Sequence, residues 1–255
     1  MSGRYDYGRS AIIGIGTPQA NPTVEAEMRI LFEPDILVQS VRLASKAAAS
    51  NDRLKAYLLD LETTLDRYDS LRPAAFGFGC TGSSYLVHND EEERLIDRLQ
   101  QRFGYPIITA TAAIKAELAA IDAQRIALAS PYPGTLSDAA AAYWRNAGFD
   151  VATVRRIETG ITDTRGIYTL GSDDARPVAQ DLLGLDVDAV LLSGTGMPSL
   201  ALLAEASGSP PLRSSNYCLA AKLCQTVGRP IPDRARWIAR LAEATSAPIL
   251  KDIDQ

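Results

Sequence analysis

Two kinds of hydrophobic pattern alternate along this chain. Short apolar runs bounded by Gly, Pro or Ser occur at Ala11–Ile15, Ala74–Phe78, Tyr105–Ile108, Arg125–Ala129, Val151–Ile157 and Asp188–Leu192, with a looser one over Asp35–Arg42. Such runs predict buried strands. Between them lie segments whose apolar residues recur at helical spacing: from Thr23 with Val24, Met28 and Leu31, then Asn51–Tyr68, Asp90–Phe103, Thr109–Ala120, Leu136–Ala147, Pro177–Leu183, Ser215–Val227 and Pro232–Ala244. An acidic first turn marks the start of Asp90–Phe103 and Gly104 its end, while Ser137 or Thr135 is expected to cap Leu136–Ala147. Ile161–Gly171 reads as a polar loop.

Strands alternating with helices predict parallel sheets with helices on both faces. The order of elements runs twice, with Arg125–Tyr132 in the second round where Ile12–Pro18 stands in the first. The expected architecture is therefore α/β, with two pseudo-symmetric domains around a shared cleft. Residues 1–110 plus 217–255 are expected to form the first domain and residues 111–216 the second.

Composition narrows the function. Among 255 residues, 46% are apolar and 22% charged, and the net charge is −5. That is a globular composition, and the absence of a Lys/Arg cluster argues against nucleic acid or an anionic membrane surface as partner. No apolar run reaches the roughly 20 residues that span a bilayer. Met1–Arg9 is polar, unlike a signal peptide, and three cysteines without framework spacing predict free thiols, so a cytoplasmic location is expected. With one histidine, His88, multi-histidine metal sites are excluded. His88 precedes a charged helix start and reads as a surface residue. Gly14-x-Gly16 lacks the third glycine of a dinucleotide fingerprint. A cofactor-free enzyme is the simplest reading.

The chemistry concentrates in Phe76-Gly-Phe-Gly-Cys80-Thr-Gly-Ser-Ser84, a strand running into a hydroxyl-lined turn. Open α/β sheets place ligands at such strand ends. Cys80 is the candidate catalytic residue. Alone, a cysteine is more often a small buried apolar group, and that reading is kept for Cys218 and Cys224. At Cys80 the turn's N–H groups and a following helix are expected to lower the thiol from its ordinary pKa of about 8.5. Thr81, Gly82 and Ser83 beside it are candidate carboxylate contacts, against turn capping as the plain alternative. Ser193-Gly194-Thr195-Gly196 repeats the turn after Asp188–Leu192 but has glycine where the thiol would fall. Gly194, Thr195 and Gly196 would offer donors from the opposite side. Tyr132, Asn21 and the Ser214-Ser215-Asn216 run are further candidates, each with a packing, turn or cap role as the alternative.

The chain resembles the aspartate/glutamate racemase superfamily, within it the maleate isomerase and arylmalonate decarboxylase branch. The resemblance covers nearly the whole chain and is carried by Pro18–Glu25, Gly79–Ser83, Thr109–Ala113, Arg125–Tyr132, Leu191–Gly196 and Ser214–Asn216. It implies two similar α/β domains, a cleft between them, no cofactor, a small carboxylate or dicarboxylate as substrate, and a small homo-oligomer. Racemases and maleate isomerases of this group use two facing cysteines, at the positions of Cys80 and Gly194. Arylmalonate decarboxylases carry one, on the Gly194 side. This sequence is the mirror arrangement, so two-base racemisation is not expected. Maleate-type cis–trans isomerisation, with Cys80 as nucleophile, is the first expectation, favoured by Asn21 with Glu25 and by Ser214-Ser215-Asn216. Decarboxylation of a substituted malonate, with Cys80 as proton donor to an enediolate, is the second. A carboxylate-binding protein without turnover is the third.

Overall fold

The computed structural model describes residues 6–246; the start of the Met1–Arg9 stretch and residues 247–255 lie outside the described residues. In chain order the first half contains β1 (Ala11–Pro18), α1 (Thr23–Leu31), β2 (Ile36–Leu43), α2 (Ser50–Leu59), α3 (Leu61–Leu65), β3 (Ala75–Phe78), α4 (Thr81–Val87), α5 (Asn89–Phe103), β4 (Ile107–Thr109) and α6 (Ala110–Ala120). The second contains β5 (Arg125–Ser130), α7 (Gly134–Asn146), β6 (Asp150–Arg156), α8 (Ser172–Leu183), β7 (Ala189–Leu192), α9 (Leu200–Glu205), β8 (Leu212–Ser214), α10 (Ser215–Thr226) and α11 (Arg234–Ser246). Two four-stranded sheets result, ordered β2-β1-β3-β4 and β6-β5-β7-β8, with parallel pairing throughout. The repeated order is the duplication visible in the sequence. α10 returns to pack on β3 and α6 of the first half.

The central strands β3 and β7 are buried along their whole length, as parallel strands covered on both faces must be. Gly14 and Gly16 of β1 serve packing, because the Phe76 ring lies where their Cβ atoms would stand. Among the described residues no helix is long and apolar enough to cross a membrane.

Several elements differ from the sequence expectation. The Asn51–Tyr68 helix is broken into α2, α3 and a 3₁₀ turn at Asp66–Tyr68. Two short helices, α4 and α9, are given no bounds by the sequence pattern, being too brief to show a hydrophobic period. α8 starts at Ser172, ahead of Pro177, which sits inside it. α7 has Pro133 at its N-cap and no side-chain cap; Ser137 instead bonds Ser130 (2.8 Å) and donates to the Tyr132 carbonyl (2.9 Å).

Candidate active site in the cleft between the sheets

β3 pairs with its neighbours as far as Phe78, and Cys80 follows two residues later. β7 pairs as far as Leu192, and Gly194 follows two residues later. The two positions are therefore equivalent in the two sheets, and the structure brings them to one cleft. Thr195 Oγ1 donates to the Gly79 carbonyl at 2.8 Å, directly tying the two strand ends together. Asn21 Nδ2 approaches Thr195 Oγ1 at 3.5 Å, and its Oδ1 accepts from the N–H groups of Thr23 and Val24 at the start of α1. Thr23 Oγ1 donates to the Gly196 carbonyl at 2.7 Å.

Cys80 occupies the N-cap of α4, so the hydroxyl-lined turn of the sequence is that helix's first turn. Ser83 Oγ donates to Cys80 Sγ at 3.2 Å, and Thr81 Oγ1 lies 2.8 Å from Tyr132 Oη. The site is closed: Cys80 is 4% exposed, and Thr81, Ser83, Tyr132, Asn21 and Thr195 are all buried. Closure reverses the expected electrostatics. Burial pushes the Cys80 thiol up, and the Ser83 hydroxyl and the N–H groups of Ser83 and Gly82 recover only part of that. Burial therefore disfavours the thiolate, where the turn and helix were expected to favour it. Burial, then electrostatic coupling to the neighbouring Cys80, also raises the Tyr132 phenol well above its ordinary value.

The Gly194 side is built differently. Gly194 has φ +96°, and an added Cβ would stand 2.9 Å from Pro131 Cγ and 3.5 Å from Tyr132 Oη. No side chain fits there without strain and displacement. Among the described residues the N–H groups of Gly194, Thr195 and Gly196 have no protein acceptor, so they remain as unengaged donors of the turn. The Thr195 hydroxyl is not free, because it is committed to the Gly79 carbonyl.

Ser215 and Asn216 also differ from the expectation of anion contacts. Ser215 Oγ donates to the Leu192 carbonyl at 3.3 Å. Asn216 Nδ2 donates to Glu27 (2.7 Å) and to the Thr195 carbonyl (3.1 Å). Ser214 caps α10 through Tyr217 N–H. These residues shape the turn from behind. Buried Asn216 Oδ1 and Thr17 Oγ1 have no partner among the described residues.

Residues that the sequence reading passed over hold the cleft together. Glu27, buried on α1, accepts from Ser199 N–H (2.5 Å), Ser199 Oγ, Leu200 N–H (3.1 Å) and Asn216. Burial raises its carboxyl in spite of these donors. Its one signal in sequence is a carboxylate on the stripe Thr23, Val24, Met28, Leu31. Tyr85 Oη meets Ser193 Oγ at 2.8 Å, and Glu92 accepts from Ser84 (2.9 Å), Thr111 (2.8 Å) and Tyr143 (2.9 Å). The helix carrying Cys80 is thereby fixed to both halves. His88 is exposed, at φ +70° between α4 and α5, away from this cluster.

Two four-stranded parallel sheets, a cleft at their strand ends and a thiol on one side define the aspartate/glutamate racemase-like class of α/β protein. Residues 74–234 match the family model described as arylmalonate decarboxylase. The chain belongs to the arylmalonate decarboxylase family. It is 25% identical over 231 residues to a maleate isomerase of Nocardia farcinica, covering 86% of this chain and 91% of that one. A structure of the Nocardia farcinica maleate cis–trans isomerase, a cysteine-to-serine mutant with a covalently bound succinylcysteine intermediate, superposes with TM-score 0.76 at 22% identity, over 88% of this chain and 98% of the other. An arylmalonate decarboxylase structure superposes with TM-score 0.68 at 19% identity, over 85% and 92%.

Proposed function

We propose that the protein is a cofactor-independent enzyme acting on a small dicarboxylate through Cys80, and that its reaction is cis–trans isomerisation of the maleate type. The observation that carries this reading is the single thiol, enclosed with hydroxyls, facing a turn whose backbone N–H groups have no protein acceptor. Neutral donors of that kind hold carboxylates and stabilise an enediolate as charge develops. The similarity to a maleate isomerase supports the choice of substrate.

In this reading Sγ forms a bond to one alkene carbon, the π pair moves toward the far carboxylate, and the proton leaving sulfur is relayed through the Tyr132 hydroxyl. A proton closes the adduct at the neighbouring carbon. Rotation follows about what is now a single bond. The proton is then removed, the C–S bond breaks, and the trans alkene leaves with the thiol regenerated. Thr195 is engaged with Gly79, so Tyr132 is the side chain left to handle the proton opposite Cys80.

Burial that disfavours the thiolate favours a second reading, decarboxylation of a substituted malonate. There the C–C pair stays on the substrate as CO₂ departs, forming an enediolate. The Cys80 S–H protonates its carbon, and water restores the thiol. In both readings a glycine at 194 leaves no second thiol for two-cysteine racemisation. Proton NMR of maleate in D₂O with wild type and Cys80→Ala tests the first. Fumarate formed by wild type alone supports it. Absence of fumarate with folded wild-type protein overturns it, and CO₂ release from a panel of malonates then tests the second.

A further inference from the structure

The segment 157–171, which joins β6 to α8, packs against the turn at Gly196 and against α2. The ring of Tyr168 occupies the space a Cβ on Gly196 would need, at 2.7 and 2.8 Å, with Ile167 at 3.2 Å. Burial first, then electrostatic coupling to Cys80, raises the phenols of Tyr168 and of Tyr57 on α2, that of Tyr57 to about 12. Tyr168 thus packs on the turn that follows β7, and both tyrosines are electrostatic neighbours of the thiol, one from each half.

One side chain joins the two halves here. Arg53, on α2 a helical turn before Tyr57, is the one buried cation among the described residues. Its guanidinium donates to the Ala48 carbonyl (3.3 Å) and Ser50 Oγ (3.2 Å) in the first half. It also donates to Asp163 Oδ1 (2.8 Å) and Thr164 Oγ1 (3.5 Å) in segment 157–171. Asp163 additionally accepts from Arg165 through its backbone N–H (2.8 Å), Nε (3.0 Å) and Nη2 (2.8 Å). The Arg165 hydrogen bonds first, and the Arg53 charge with them, hold the Asp163 carboxyl well below the usual range. The bridge is asymmetric: the Arg53 side chain is 6% exposed and that of Asp163 26%. Water and salt reach one end, and the other is committed to the wall of the site. Gly160 at φ +73° and the exposed Ile161 stand at the root of the segment.

We infer that Arg53 and Asp163 are the latch that closes the thiol site, and that segment 157–171 is the cover they hold down. A charge pair with one end in water opens at modest cost. On opening the guanidinium keeps Ala48 and Ser50 but loses its carboxylate, so the closed state stays the favoured one and opening is transient. The two residues act through the tyrosine cover; they are positioning residues.

The test is site-resolved alkylation of Cys80 by iodoacetamide, read by peptide mapping with Cys218 and Cys224 as internal standards. It needs no substrate, so its outcome is independent of the isomerase reading. Asp163→Asn is expected to raise the Cys80 rate about tenfold, the scale of a lost charged hydrogen bond. Its pH profile should keep the wild-type midpoint, and Asp163→Glu should return the rate toward wild type. In wild type, about 1 M salt should reproduce part of the rise by screening the pair, and in Asp163→Asn salt should have no effect. A Cys80 rate equal to wild type overturns the latch. So does a rise shared by Cys218 and Cys224, which would be general loosening, or one accounted for by a shifted thiol midpoint. Should Asp163→Asn fail to fold, the salt series on wild type decides, and a salt-independent Cys80 rate overturns the proposal.

Discussion

The turns after β3 and β7 occupy the same place in two copies of one sheet order, yet they are built for opposite purposes. After β3 the chain enters α4 at once, with Cys80 at the cap and its sulfur against Ser83. After β7 no helix begins until Leu200, and the intervening backbone takes φ +96° at Gly194. Pro131 and Tyr132 crowd one glycine of that turn, and Tyr168 the other. The first turn presents a side chain, whereas the second presents backbone N–H groups and is braced by Glu27, Ser199 and Asn216. Duplication supplied two equivalent positions for a reactive group, and at one of them a side chain meets strain and Pro131.

The sharpest way to break the comparison is to remove the thiol. Cys80→Ala is expected to lower kcat by about a thousandfold or more, as removal of a reacting group does, measured by product formation with fold checked by circular dichroism. Next comes forced symmetry. Gly194→Cys places a second thiol opposite the first, but at a left-handed φ and against Pro131. We expect it to lower unfolding free energy by about 2–4 kcal/mol and to confer no racemisation, read from denaturant midpoints and deuterium exchange at a chiral α-carbon. Pro131→Ala in that background should recover the contact part and leave the φ strain. Tyr132→Phe probes the same boundary more gently. It removes the hydroxyl 2.8 Å from Thr81 Oγ1, and kcat should fall about 100-fold if Tyr132 handles a proton.

The smallest effect is also the one that separates the two chemistries. Burial raises the Cys80 pKa. If the thiolate attacks, kcat/KM climbs as pH rises toward that raised value. If the thiol donates a proton, kcat/KM is level through neutral pH and falls as pH passes the same value. A pH–rate profile with the substrate that the NMR and CO₂ assays identify reads the sign directly.

The α/β alternation, the duplication and the two strand-end turns were legible in sequence, because buried parallel strands and amphipathic helices write strong patterns. Cys80, Thr81, Ser83, Tyr132, Asn21 and Thr195 do gather at the two strand ends. The chain pattern concealed α4 and α9, which are shorter than the window a helical period needs. It also concealed which polar groups are engaged: Asn216 and the Thr195 hydroxyl look like free donors in a row of letters, and both bond protein acceptors from distant elements.

By itself, then, the sequence determined the sheet order's ingredients, the single thiol on one side and the glycine on the other, because these depend on local pattern and residue identity. Tertiary structure alone decided that burial raises the Cys80 thiol, that a side chain at Gly194 meets strain and Pro131, and that Arg53 meets Asp163 from the other half. Each of those depends on burial or on contacts between residues far apart in the chain, and Coulomb energy, desolvation and steric exclusion are set by distance in space.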